Sequence, residues 1–167
     1  MVRLIITGGT FDKHYDRVRG ELTFQQTHLP EILDTVGCTV PVSLEINQLI
    51  DSLDMGDDDR ERIVESCRAA TEEHIVITHG TDTMTVTADR LRAAAQRDAA
   101  LGARTIVLTG AMVPFTISGS DALFNLGGSL VAVQLLPPGV YVVMHGRVFP
   151  AGGVRKDTAA GKFVESA

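Results

Sequence analysis

The sequence predicts an α/β fold built on a mostly parallel sheet. Two observations carry that expectation. Short β-branched runs alternate with longer helix-patterned stretches, and most of the runs end directly in a glycine turn. The first run, residues 2–6, reaches Gly8-Gly9 almost at once. Further runs at 40–46, 75–78, 105–108 and 140–144 are near-continuous in apolar residues, as strands buried on both faces should be. Helices are expected over residues 28–36, stopping at Gly37, and from about Asp57 onward. Two more follow, over 84–100 before Gly102 and over 120–136, where Pro137-Pro138 cannot continue the helix. Alternation of this kind implies right-handed crossovers between parallel strands.

Two segments break the alternation. Residues 11–24 mix Asp, Lys, His and Gly with short apolar pieces and read as a mobile flap or irregular hairpin after the first strand. From Arg147 onward the apolar period fades, and the tail is expected to wrap the domain edge or meet a neighbour.

Size and charge narrow the function classes. At 167 residues the chain suits one domain, with enough core to fold without a disulfide or metal. Lys and Arg number 15 against 21 Asp and Glu, a net charge of −6, and no basic run occurs, so nucleic acid is an unexpected partner. Cys38 and Cys67 lie far apart without zinc-ligand spacing and read as reduced, packed thiols. The N-terminus lacks the apolar stretch of a signal peptide and no run is long enough to span a bilayer, so a cytoplasmic protein off the membrane is expected.

The strand ends carry the chemistry. Thr7-Gly8-Gly9-Thr10, Thr78-His79-Gly80-Thr81-Asp82, Thr109-Gly110-Ala111-Met112 and His145-Gly146 all fall at the carboxyl edge of a parallel sheet, where open α/β folds bind ligands. Glycine lets backbone approach a ligand, and the N–H groups that follow can stabilise developing negative charge. The dinucleotide and phosphate-loop patterns and the serine elbow are absent. What remains is a pair of threonines, Thr10 and Thr81, with Asp82 beside the second. A threonine hydroxyl is a weak nucleophile until a neighbour takes its proton, and Thr10 can equally serve as a cap for its turn.

These residues resemble a known family. Thr7-Gly8-Gly9-Thr10 and His79-Gly80-Thr81-Asp82-Thr83-Met84 are similar to the two signature motifs of the bacterial-type L-asparaginases. Gly110-Ala111-Met112-Val113-Pro114 resembles that family's GAMRP turn and Asp121–Leu126 its DGPFNL segment, while Val154-Arg155-Lys156 resembles the lysine region after its last strand. The resemblance spans nearly the whole chain. It implies a flavodoxin-like three-layer fold, homo-oligomers, no cofactor, no metal, and hydrolysis of L-asparagine to L-aspartate and ammonia through a threonine acyl-enzyme.

Carried over residue by residue, the resemblance makes Thr10 the nucleophile and Thr81, Asp82 and Lys156 the second hydroxyl, acid and base. Lys156 on its own reads as a solvated surface lysine, so its role rests on the likeness. The family's mobile-loop tyrosine falls to Tyr15, whose other reading is a packing anchor for the flap; Tyr141 lies in an expected core strand. Asp51-Ser52-Leu53-Asp54-Met55 stands where the family has GSQDM, which gives Ser52 and Asp51, with Gly80 and the Ala111 carbonyl, to substrate binding. Asp57-Asp58-Asp59 complements a helix N-terminus rather than a metal.

The usual family member is about twice as long, and its C-terminal domain lends an asparagine and a glutamate to a neighbouring site. Residues 1–167 resemble the short, single-domain asparaginases, with that second domain absent. The alternatives are a broader glutaminase or amidase, including the ammonia-producing part of an amidotransferase, or a weakly catalytic domain that senses aspartate or asparagine.

Overall fold

The structure, a computed structural model, describes residues 1–166. In chain order it comprises β1 (Val2–Gly8), a 3₁₀ turn (Thr10–Asp12), β2 (His14–Asp16), β3 (Glu21–Thr23), α1 (Leu29–Thr35) and β4 (Val42–Ile50). There follow α2 (Asp57–Ala69), β5 (His74–Thr78), α3 (Met84–Ala95), α4 (Ala99–Gly102), β6 (Thr105–Thr109) and α5 (Ala122–Leu135). The chain closes with β7 (Gly139–Met144), β8 (Arg147–Pro150), β9 (Val154–Asp157) and β10 (Lys162–Glu165).

The main sheet runs β4-β1-β5-β6-β7-β8. Its first five strands are mutually parallel, and β8 returns antiparallel along β7. Counting only the parallel strands in chain order gives 2-1-3-4-5, the flavodoxin-like winding. Side chains alternate across the sheet and feed two cores. Ile5, Ile75, Ile77, Ile106 and Leu108 pack beneath α2, α3 and α4, while Leu4, Ile6, Val76 and Val107 pack against α1 and α5. The three-layer expectation holds.

Several local expectations need correction. The second parallel strand is β4, at 42–50 rather than 40–46, and it is not buried on both faces: it forms the sheet edge, with Leu44 and Ile46 exposed. An apolar run looks alike at an edge and in the centre, because the helices packed on the sheet, not the run itself, decide which faces are covered. The long helix expected over 84–100 is two helices. α3 ends at Ala95, and Asp98 restarts the chain by accepting from the Ala100 and Leu101 N–H groups at 3.0 and 3.2 Å.

The turn His145-Gly146 follows the carboxyl end of β7 as expected, and it is also a hairpin. Both residues have positive φ, 54° and 76°, the conformation that joins two antiparallel strands, so it reverses β7 into β8. The flap does contain a hairpin, β2 paired with β3. The tail wraps the domain edge: β8 covers β7, and Phe149, Val154 and Phe163 enter the core under α3. Both cysteines are free, and burial pushes the Cys67 thiol up to about 12, which keeps it inert. No helix among the described residues is long and apolar enough to cross a membrane.

Candidate functional site

Strand order reverses between β1 and β5, so the chain leaves their carboxyl ends in opposite directions and opens a crevice there. Gly9 and Gly80 form its floor. A Cβ on Gly9 would lie 2.3 Å from the Gly80 nitrogen, and Gly9 has φ +78°, so no other residue fits. This backbone-on-backbone contact sets the Thr10 turn against the Thr81 turn. Thr10 opens the 3₁₀ turn, half-buried, and Thr81 is 4% exposed.

Lys156 arrives on β9 from far along the chain. Its Nζ donates to Thr81 Oγ1 at 2.8 Å and to Asp82 Oδ1 at 2.7 Å, and its side chain is only 12% exposed. Thr81, Asp82 and Lys156 are therefore one constellation, with Thr10 on the abutting loop. No hydrogen bond joins the Tyr15 side chain to this constellation among the described residues. Tyr15 sits on β2 opposite Leu22 and is 59% exposed.

Ser52 faces the crevice from the loop after β4. It is 1% exposed, and its Oγ has no hydrogen-bond partner among the described residues. A Cβ on Gly80 would come within 2.5 Å of that oxygen, so glycine is what leaves the hydroxyl room. The loop is braced from behind. The Thr83 hydroxyl donates to the Ser52 carbonyl at 2.7 Å, and Arg60 donates to Thr83 Oγ1 at 3.0 Å and to the Met55 carbonyl at 2.7 Å. Sequence reasoning misses Arg60, because nothing distinguishes it from Arg62 and Arg68 in the same acidic helix.

Asp51 turns to the flap instead of toward Ser52. Lys13 Nζ meets Asp51 Oδ2 at 2.5 Å, and Asp51 Oδ1 accepts from the Leu53 N–H at 3.0 Å. Burial raises its carboxyl pKa, but Lys13 and the Leu53 N–H outweigh burial and hold the group below its ordinary value. Next to Lys13, Asp12 ties the turn to the far end of the flap, accepting from the Thr27 hydroxyl at 2.9 Å and the His28 N–H at 3.1 Å. Burial nevertheless pushes the Asp12 carboxyl up.

The third turn is shaped by two residues, the cap of α5 and one on its first turn. Asp121 accepts from the Met112 and Val113 N–H groups at 2.9 and 3.0 Å. Asn125 Nδ2 donates to the Gly110 carbonyl at 2.9 Å, and its Oδ1 accepts from the His145 N–H at 2.9 Å. Ala111, held between them, is fully buried. Asp121 and Asn125 fall inside the Asp121–Leu126 segment, yet nothing in their spacing announces this role.

Residues 1–162 match the model of the asparaginase N-terminal domain. The chain belongs to the asparaginase family. It is 31% identical to L-asparaginase 1 of Escherichia coli (strain K12) over 138 residues, 78% of this chain and 39% of that protein. Over 76 residues, 46% of this chain and 17% of the relative, it is 41% identical to a glutamyl-tRNA(Gln) amidotransferase component of Methanococcus vannielii. The solved thermostable L-asparaginase from Thermococcus kodakarensis superimposes with a TM-score of 0.78 at 28% identity, over 99% of this chain and 51% of that one. This asparaginase-family chain thus spans about half the length of the solved relative and less of the other two.

Proposed function

We propose that the chain hydrolyses the side-chain amide of L-asparagine to L-aspartate and ammonia, with Thr10 as nucleophile. The contact of Lys156 with both Thr81 and Asp82 carries this reading, because it puts a cation, a hydroxyl and a carboxylate beside a second threonine. Thr10 Oγ1 bonds to the amide carbon, and the oxyanion faces N–H groups of the glycine turns. Collapse of that adduct expels ammonia, which leaves with the proton lost by Thr10. Water then attacks the ester, aspartate departs, and the Thr10 oxygen regains a proton.

Lys156 donates to Thr81, so it occupies a lone pair there and leaves the hydroxyl proton of Thr81 free to point into the crevice. Thr81 then relays protons while Lys156 offsets the negative charge that develops on it. Tyr15 enters as a proton shuttle when the flap folds over bound substrate. The unpartnered Ser52 hydroxyl receives the substrate carboxylate over Gly80, Asp82 faces the substrate ammonium, and the Ala111 carbonyl faces the leaving amide. The reaction needs no cofactor or metal. A cytoplasmic homo-oligomer completes the reading, supported by the exposed apolar ridge of Phe124, Val131 and Leu135 on α5.

The likeness to an amidotransferase component favours a second reading, ammonia release from a broader set of amides. Ammonia release from L-asparagine, L-glutamine and D-asparagine separates the two, with Thr10→Ala and Thr81→Ala as controls. Turnover of L-asparagine, lost in both variants, supports the asparaginase. Equal turnover of glutamine moves the reading to the amidase. No turnover, with aspartate still raising the melting temperature, leaves a sensor domain.

A further inference from the structure

Asp51 of the Lys13–Asp51 pair directly precedes Ser52, a buried hydroxyl of the crevice that has no partner among the described residues. Ser52 Oγ is the natural seat of an anionic group, yet the residue before it is a carboxylate. A negative charge one residue away repels any anion placed on Ser52, and in this partly enclosed crevice water screens that repulsion poorly. Leu53, the residue that follows, is apolar and contributes only its N–H. The neutralising charge comes from the flap root instead: Lys13 reaches Asp51 Oδ2 at 2.5 Å from a position three residues after Thr10.

We propose that Lys13 is a specificity-determining residue, whose ammonium cancels the charge of Asp51 and so allows Ser52 to accept the carboxylate end of an amino-acid substrate. The inference rests on the proposed function for the identity of that substrate. It differs from a simple latch between flap and loop. A latch is broken equally by removing either partner, whereas charge cancellation makes the two removals opposite in effect.

The test uses the full chain and four proteins: wild type, Lys13→Met, Asp51→Asn and the double variant. Lys13→Met raises KM for L-asparagine roughly ten- to a hundredfold with little change in kcat. Asp51→Asn leaves Lys13 uncompensated beside the anion seat and lowers KM, and the double variant returns toward wild type. With 3-aminopropanamide, which keeps the amine and amide but lacks the carboxylate, Lys13→Met leaves KM unshifted. Equal damage from both single variants, or a double variant as impaired as Lys13→Met, overturns the proposal and leaves a latch.

Calorimetric titration with L-aspartate keeps the two readings apart. Turnover of asparagine with no dependence on Lys13 overturns this inference alone. Aspartate binding that weakens in Lys13→Met and recovers in the double variant, without turnover in wild type, overturns only the enzyme. Absence of both binding and turnover overturns both.

Discussion

The Thr87 hydroxyl lies 2.8 Å from His79 Nε2, on a fully buried imidazole whose other nitrogen sets the tautomer. His79 Nδ1 is 2.8 Å from the Gly80 carbonyl, which can only accept, so Nδ1 carries the proton and Nε2 accepts from Thr87. Burial lowers the His79 pKa to about 4, so the ring is neutral at physiological pH. A helix residue on α3 thereby orients the Gly80 peptide on the crevice floor.

Thr87→Val strands Nε2 without a donor, and the expected cost is about 1–3 kcal/mol. Thr87→Ser restores the donor and recovers most of the loss in a denaturant titration. The same group makes stability depend on pH. Its folded-state value lies below the unfolded 6.5, so the unfolded chain binds the extra proton first. The contribution is complete above about pH 6.5 and is lost as pH falls toward 4, about 3 kcal/mol in all. His79→Gln flattens the slope of stability between pH 6.5 and 4; an unchanged slope contradicts the assignment.

Lys156→Met tests the constellation at its cation. Aspartate binding survives, while kcat falls about 10²–10⁴-fold, the range associated with a lost proton-transfer group, because Thr81 relays protons only while Lys156 offsets its charge. Lys156→Arg does not restore the rate, because a planar guanidinium cannot reproduce one ammonium shared between Thr81 and Asp82. A loss confined to KM assigns Lys156 to binding instead.

How much of this is legible in the chain depends on whether the cause is local. The glycine turns at Gly8-Gly9 and Gly80 follow short buried runs, so the crevice and its two threonines are readable from adjacent residues. Lys156 is readable only through likeness to a family, since β9 must fold back before its amine meets Thr81. Lys13 with Asp51, Arg60 with Thr83, and Thr87 with His79 go unread for a related reason. Each joins elements whose contact exists only once the sheet order is set. The exposed face of β4 escapes the sequence because its apolar content reflects propensity, while its exposure reflects an edge position that the helices on the sheet leave uncovered at Leu44 and Ile46.

The two floor glycines predict different failures. Gly80 has an ordinary backbone conformation, and its added Cβ meets the Ser52 side chain at 2.5 Å. Gly80→Ala therefore displaces Ser52 and raises KM more than it lowers the melting temperature. Gly9 has φ +78° and meets Gly80 backbone at 2.3 Å, which cannot yield cheaply. Gly9→Ala lowers stability and activity together. Thermal melts run beside saturation kinetics distinguish the two patterns.

Asn125 joins two turns through opposite ends of one amide, giving its Nδ2 to Gly110 and its Oδ1 to His145. Asn125→Ala removes a buried donor and a buried acceptor at once, leaving both backbone groups unpaired at a cost of about 2–4 kcal/mol. Asn125→Asp is the more informative change. It keeps the acceptor for the His145 N–H but turns an oxygen toward the Gly110 carbonyl and brings a charge next to Asp121, only one helical turn away. Stability of Asn125→Asp is therefore expected to rise as pH falls and the new carboxyl takes a proton, restoring a donor for Gly110. Asn125→Ala shows no such recovery relative to wild type. Parallel denaturant titrations at pH 7 and pH 5 read the difference, and equal pH responses in the two variants reject the bridging role of the amide.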